Sequence, residues 1–101
     1  MHKFGVTAWP NKTNYTIEIS NGEVADLYKM TPDEALDLLK CIKDVLTGSS
    51  CEHDTAHRIE LKQGNMFTLL LPMSDRFTKA YTVSKRKLVE LKIGLMGALN
   101  G

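Results

Sequence analysis

Apolar and polar residues alternate along the first part of the chain, in the pattern that is typical of half-buried β-strands. The alternation is clearest from Tyr15 to Ser20, where every second residue is apolar. Flanking strands are predicted from Lys3 to Trp9 and from Val24 to Met30. Between the second and third strands, Asn21-Gly22 predicts a type I′ hairpin turn, because that turn needs positive φ at both central residues. The pattern therefore predicts three consecutive antiparallel strands.

The apolar spacing changes to every third or fourth residue after Met30, which predicts an amphipathic helix from Thr31 to Gly48. Thr31 has a hydroxyl that can cap the helix, and Pro32 suits the first helical position. Glu34 stands at the position that completes a capping box. Gly48 is a natural C-terminal stop.

The second part of the chain shows the same order of elements. Strands are predicted at Ala56 to Lys62, Met66 to Leu71 and Arg76 to Val83, followed by a helix at Lys85 to Leu99 that Ser84 caps. Val24 to Gly48 aligns without a gap on Phe77 to Gly101, in residue class more than in identity. This indicates an internal repeat, although any two strand-helix units share some of this likeness.

These elements predict an α+β domain that spans residues 1–101, with related βββα halves at 1–48 and 56–101 and a linker at 49–55. The simplest arrangement is one six-stranded, mostly antiparallel sheet with both helices on one face. We expect the two halves to be related by a pseudo-twofold axis. The sequence leaves open whether the protein is a monomer or a homodimer.

Composition narrows the class of protein. The chain is 43% hydrophobic and 25% charged, which is typical of globular domains and argues against disorder. Its apolar runs are shorter than the roughly 18 residues that a membrane span needs, and its N-terminus lacks the pattern of a secretory signal. These features predict no membrane association and a cytoplasmic location, in a cell or in a virus-infected host. Cys41 and Cys51 are expected to be free thiols there.

The charged residues are unevenly distributed although the net charge is only +1. Three cations, Lys85, Arg86 and Lys87, follow the capping residue of the second helix, where the helix dipole disfavours positive charge. Arg76 and Lys79 precede them in the sequence. Cations at a helix N-terminus can bind an anionic partner, so these five residues are a candidate partner- or anion-binding site. The alternative is that they are ordinary surface charges.

Trp9 and Lys12 form a second candidate site. Trp9 precedes Pro10 at the end of a predicted strand and is the aromatic residue most expected to be exposed. An exposed Trp near a cation can anchor a protein partner or stack on a nucleic-acid base. Burial in the core is an equally good interpretation of Trp9.

Metal binding and catalysis have weaker support. Cys51, His53 and His57 are donor types that zinc prefers, but their spacing matches no standard zinc site, and a solvated linker is the simpler interpretation. No motif supports an activated nucleophile or a phosphate-binding loop. We therefore expect a protein that is not an enzyme and has no cofactor.

The segment from Tyr28 to Glu34, a strand that runs into a capped helix, resembles the strand-to-helix join of small single-stranded-DNA-binding transcriptional coactivators. The resemblance implies nucleic-acid binding, but the basic strands of that family are missing from the first half, so no residue role is transferred. The size also suits small viral proteins that block host machinery, by analogy alone. The predicted function is a non-enzymatic protein-binding module, an adaptor or inhibitor of a partner with an acidic surface. The alternative is a single-stranded DNA- or RNA-binding protein that uses the sheet and the basic second helix.

Overall fold

A computed structural model of the chain describes residues 3–48, 58–63, 66–74 and 76–100. The first unit begins with strands β1 (Lys3–Ala8), β2 (Tyr15–Ser20) and β3 (Ala25–Met30), which form an antiparallel sheet in the order β1-β2-β3. A short 3₁₀ turn at Pro10–Lys12 joins β1 to β2. The alternation is confirmed on β1 and β2, whose large apolar side chains face the core, whereas on β3 Tyr28 and Met30 are buried and Leu27 is exposed.

The turn between β2 and β3 differs from the expected type I′ turn. The backbone N–H of Asn21 donates to the carbonyl of Val24 at 3.1 Å, so Gly22 and Glu23 are the central residues. Only Gly22 of these two has positive φ, at 99°. The side-chain carbonyl of Asn21 accepts the N–H groups of Glu23 and Val24 at 3.1 and 3.0 Å. Asn21 therefore stabilises the turn from its flank, as Asx turns do.

Helix α1 (Pro32–Leu46) begins as the sequence predicts. The Glu34 N–H donates to the Thr31 hydroxyl at 3.2 Å, and the Thr31 N–H donates to the Glu34 carboxylate at 3.0 Å. This is a complete capping box, which satisfies two backbone donors that the helix itself leaves unpaired.

The second unit repeats the order of the first. Strands β4 (Arg58–Gln63), β5 (Met66–Ser74) and β6 (Phe77–Ser84) form a second antiparallel sheet in the order β4-β5-β6, and helix α2 (Lys85–Asn100) follows directly. Both units thus have the order βββα. Superposition of the two halves stays a prediction.

The expectation of one six-stranded sheet is wrong, because the described strands form two three-stranded sheets. No backbone ladder joins β3 to β6 among these strands; their side chains meet instead. The Asp26 carboxylate on β3 accepts hydrogen bonds from the Lys79 ammonium and the Tyr81 hydroxyl on β6. Two separate sheets can enclose the helices from different sides, whereas one sheet would leave the far side of each helix exposed.

Helix packing links the two units. α2 packs against β1 and α1, and α1 also contacts β4, so each helix contacts the first strand of the other unit. Gly94 permits close approach of α2 to β1, because a Cβ atom there would lie 3.1 Å from Cγ2 of Val6. The fully buried core draws on both sheets and both helices, and its largest members include Ile17, Met30, Leu38, Ile42, Leu69, Leu71, Leu88, Leu91 and Leu95.

Among the described residues, neither helix is long and apolar enough to cross a membrane.

Candidate interaction site

The start of α2 carries the strongest site predicted from the sequence. Ser84 ends β6, and its hydroxyl accepts the Lys87 N–H at 3.2 Å, so Ser84 caps the helix. This places Lys85, Arg86 and Lys87 in the first turn, as the sequence predicts. The first turn of α2 contains no acidic residue, in contrast to Asp33 and Glu34 in α1.

The three cations differ in their surroundings. The Lys87 ammonium donates to the Glu90 carboxylate at 3.0 Å, and only 20% of the Lys87 side chain is exposed. Lys85 and Arg86 are exposed, and within the described part of the chain their side chains make no hydrogen bond or ion pair. The structure therefore leaves Lys85 and Arg86 available to an anionic group, while Lys87 has a structural partner.

A surface groove of about 590 Å³ lies beside these cations. Its lining includes Ser84, Lys85, Arg86, Val89 and Glu90, so it offers an apolar side chain and charges of both signs. A groove of this composition can receive a chain segment that has a carboxylate for the cations and an aliphatic group for Val89.

Arg76 and Lys79 do not join this cluster. They lie at the start of the β6 region, whereas Lys85 follows the far end of that eight-residue strand. A strand of that length separates its ends by about 25 Å. The Lys79 ammonium is also neutralised by Asp26 and lies 5.3 Å from the ring centroid of Tyr81. The predicted five-cation site is therefore divided, and only its C-terminal part forms a cluster.

Asp26 has a clear structural position that the sequence did not reveal. It bridges the two sheets by accepting hydrogen bonds from Lys79 and Tyr81.

The tyrosines of β3 and β6 have raised pKa values. Burial raises the pKa of the Tyr81 phenol above its usual range, and the hydrogen bond to Asp26 and the charge of Asp26 raise it further. Tyr28 on β3 is likewise buried. Burial, with a smaller contribution from the Glu34 charge, raises the pKa of Tyr28 to about 12. Both tyrosines are core residues and do not form an accessible aromatic surface.

The side chains of Trp9 and Lys12, predicted as one candidate site, make different contacts. The Lys12 ammonium donates to the backbone carbonyl of Leu99 at 3.4 Å, which places a cation at the negative end of the α2 dipole. Trp9 is 39% exposed, and its indole N–H donates to the Thr16 hydroxyl at 2.7 Å. The Lys29 ammonium lies 5.5 Å from the centre of the Trp9 ring. Lys29, which sequence reasoning missed, is thus the cation beside Trp9.

The metal-site candidates Cys51, His53 and His57 lie outside the described residues, so that hypothesis stays a prediction. Within the described ranges, no group of three potential metal ligands is present. Cys41 is buried and disulfide-bonded, which contradicts the expectation of a free thiol there. The other cysteine of the sequence, Cys51, is among the residues that the structure does not describe.

No family model, curated protein or solved structure matches this chain.

Proposed function

We propose that the protein is a non-enzymatic protein-binding module, an adaptor or inhibitor, that binds an acidic segment of a partner protein in the groove at the start of α2. The observation that carries the proposal is the exposure of Lys85 and Arg86, without carboxylate partners among the described residues, on the rim of a groove that also contains Val89. Each cation is unfavourable at a helix N-terminus in the free protein, by about 0.3–1 kcal/mol. A partner carboxylate would offset that cost.

The distribution of charge and aromatic residues favours a protein partner over a nucleic acid. Binding of single strands combines a basic groove with exposed aromatic side chains on which bases stack. Here Lys79 and Lys87 have carboxylate partners, and the sheet aromatics Tyr15, Tyr28, Phe67 and Tyr81 are buried. Phe77 is exposed, but it lies at the end of β6 that is away from the cations of α2. The net charge of +1 also supplies little general attraction for a polyanion.

A peptide-display selection on the full chain tests the proposal. We expect enriched peptides to contain Asp or Glu, and the double variant Lys85→Glu, Arg86→Glu to lower the affinity of most of them at least about tenfold, since it reverses both contacts. Lys40→Glu changes an exposed lysine on α1 and is the matched control. Binding is measured by fluorescence anisotropy with labelled peptides at two salt concentrations.

Two results would contradict the proposal. One is a selection that enriches no peptide, or only peptides whose affinity the double variant leaves unchanged. The other is tighter binding of oligo(dT) than of any selected peptide, with the steep salt dependence typical of phosphate contacts. That second result would favour single-stranded nucleic-acid binding.

A further inference from the structure

The outer face of the first sheet carries a second surface, far from the α2 groove. Residues on this face come from alternate positions of three strands, and they align in rows across the sheet: Thr7, Thr16 and Lys29; Gly5, Glu18 and Leu27; Lys3, Ser20 and Ala25. α2 packs against β1 from the other side, through Val6. No described element packs on the outer face.

Trp9 extends this face at the end of β1 and is held in a fixed position. Its N–H donates to the Asn14 carbonyl at 2.9 Å, and its carbonyl accepts the Lys12 N–H at 2.8 Å. The indole is bonded to Thr16 on β2, and the Lys29 ammonium from β3 lies close to the ring, so Trp9 has a side-chain neighbour from each of the other two strands. A rigid, partly exposed Trp loses little conformational entropy on binding, which is why Trp is common among interface anchors.

Other residues of this face offer apolar contact and space. Leu27 on β3 is 65% exposed and offers an accessible aliphatic side chain on this face. Gly5 stands in the same row as Leu27, and a Cβ atom there would have no neighbour within 4 Å. Gly5 therefore leaves open space at the β1 end of this row, and Glu18 lies between Gly5 and Leu27.

The charges on this face run in a diagonal of alternating sign. Lys29, Glu18 and Lys3 occupy successive rows, and within the described part of the chain none of them has an ion pair. A polynucleotide would place phosphates near Glu18 as well as near the lysines, and those phosphates would be repelled. A polypeptide can place an acidic side chain at Lys29 and avoid Glu18, so the charge pattern matches a protein segment.

The size of the face indicates what kind of protein contact it can make. The face consists of the nine residues in these rows and Trp9. A stable protein–protein interface takes about 20–30 residues from each partner, so two copies of this chain that paired through this face alone would associate weakly. A short extended segment, in contrast, can be accommodated whole.

We propose that the outer face of the first sheet binds a short extended segment of a partner protein, with Trp9 and Lys29 as its main contact residues. The segment places apolar side chains against Trp9 and against Leu27, and a carboxylate beside Lys29. Lys12 links the Trp9 turn to the C-terminal end of α2, and the groove lies at the opposite end of that 16-residue helix. The two surfaces are therefore about 20 Å or more apart. If the groove also binds protein, the chain has the two contact surfaces that an adaptor requires.

Intrinsic fluorescence gives a direct readout, because Trp9 is the one tryptophan in the sequence. Peptides from the display selection are sorted by whether they change Trp9 emission. For those that do, we expect Lys29→Glu and Leu27→Glu each to lower affinity at least about tenfold. Matched controls are Lys40→Glu, and Ile93→Glu on α2, since Ile93 is 61% exposed and lies on a different element. Lys85→Glu with Arg86→Glu should leave these affinities unchanged, which separates this proposal from the one for the groove.

Leu27 and Lys29 are both exposed, so their variants are expected to fold, and circular dichroism checks this. The proposal is overturned if no enriched peptide changes Trp9 emission, or if peptides that change it bind the Lys29 and Leu27 variants as tightly as the parent. It is equally overturned if oligo(dT) changes Trp9 emission at lower concentration than every selected peptide.

Discussion

The two helices occupy equivalent places in units of the same order, yet their first turns have opposite chemistry. α1 begins with Thr31, Pro32, Asp33 and Glu34, and its capping box is complete. α2 begins with Ser84, Lys85, Arg86 and Lys87, and its cap has only the bond from the Lys87 N–H to Ser84. The position where a Glu would complete a second capping box is occupied by Lys87, whose ammonium pairs with Glu90. The fold alone accounts for α1, whereas the cations of α2 call for another explanation, and a binding role supplies one.

The largest difference in stability effect that we expect between the helices concerns residues in the middle of each helix. In the repeat alignment, Gly94 of α2 is equivalent to Cys41 of α1. A side chain at Gly94 would press on Val6, so Gly94→Leu should push α2 away from β1 and lower the free energy of unfolding by about 1–3 kcal/mol. Gly97→Leu is the matched control, because a Cβ atom there meets open space, and it should be neutral or stabilising, by up to about 1 kcal/mol. Urea unfolding measures both, and equal losses would contradict the close packing of α2 on β1.

The equivalent tyrosines of the two units provide a second comparison. The pKa of Tyr28 is raised to about 12, and that of Tyr81 is raised as well, both mainly by burial. The unfolded chain releases these protons near pH 10, so their contribution to stability is complete below pH 10 and is lost as pH rises through the folded-state values. We expect the free energy of unfolding to fall by about 1.4 kcal/mol per pH unit for each tyrosine in that range.

Urea unfolding at a series of pH values between about 9 and 12 measures this slope. Tyr28→Phe and Tyr81→Phe should each lower the slope by about 1.4 kcal/mol per pH unit, which is the contribution of one phenol. A slope that neither substitution changes would show that both phenols ionise freely in the folded protein.

The caps themselves are expected to differ by a smaller amount. Thr31→Ala removes the hydrogen bond from the Glu34 N–H to the Thr31 hydroxyl, which is one of the two bonds of the capping box. It should lower the free energy of unfolding by about 1 kcal/mol. Ser84→Ala removes a single bond at a helix start that already carries unfavourable charge, and it should cost about 0.5 kcal/mol. Thermal melting of the two variants decides the order. A larger loss for Ser84→Ala would mean that the two caps are not ranked as their hydrogen bonds suggest.

The sequence predicted the local structure of both units well, because local structure depends on neighbouring residues. The capping box at Thr31 and Glu34 is confirmed, and Ser84 caps α2 as predicted. The predicted type of the turn at Asn21 was wrong, because the residues at the centre of the turn depend on how β2 and β3 align. Alternation identifies the buried face of a strand, but it does not identify the neighbouring strand. The division into two sheets could not be predicted for that reason.

The candidate sites show the same limit. The Lys87–Glu90 pair has a helical spacing of three residues and was within reach of sequence reasoning. The Lys79–Asp26 pair joins residues 53 apart, so only the fold reveals that Lys79 is neutralised. The contact of Lys29 with Trp9 also depends on strand pairing, since it crosses from β3 to the end of β1.

The central claim is that the cations at the start of α2 lower the stability of the free protein and contribute to binding. A second double variant, Lys85→Glu with Arg86→Asp, tests this claim most directly. It gives α2 an acidic first turn like that of α1 and keeps Lys87 with its partner Glu90. The account predicts that the free protein gains about 1 kcal/mol in the free energy of unfolding. It also predicts that the selected acidic peptides lose at least about tenfold in affinity for the same variant. A variant that melts below the parent, or that binds those peptides as tightly as the parent does, would contradict it.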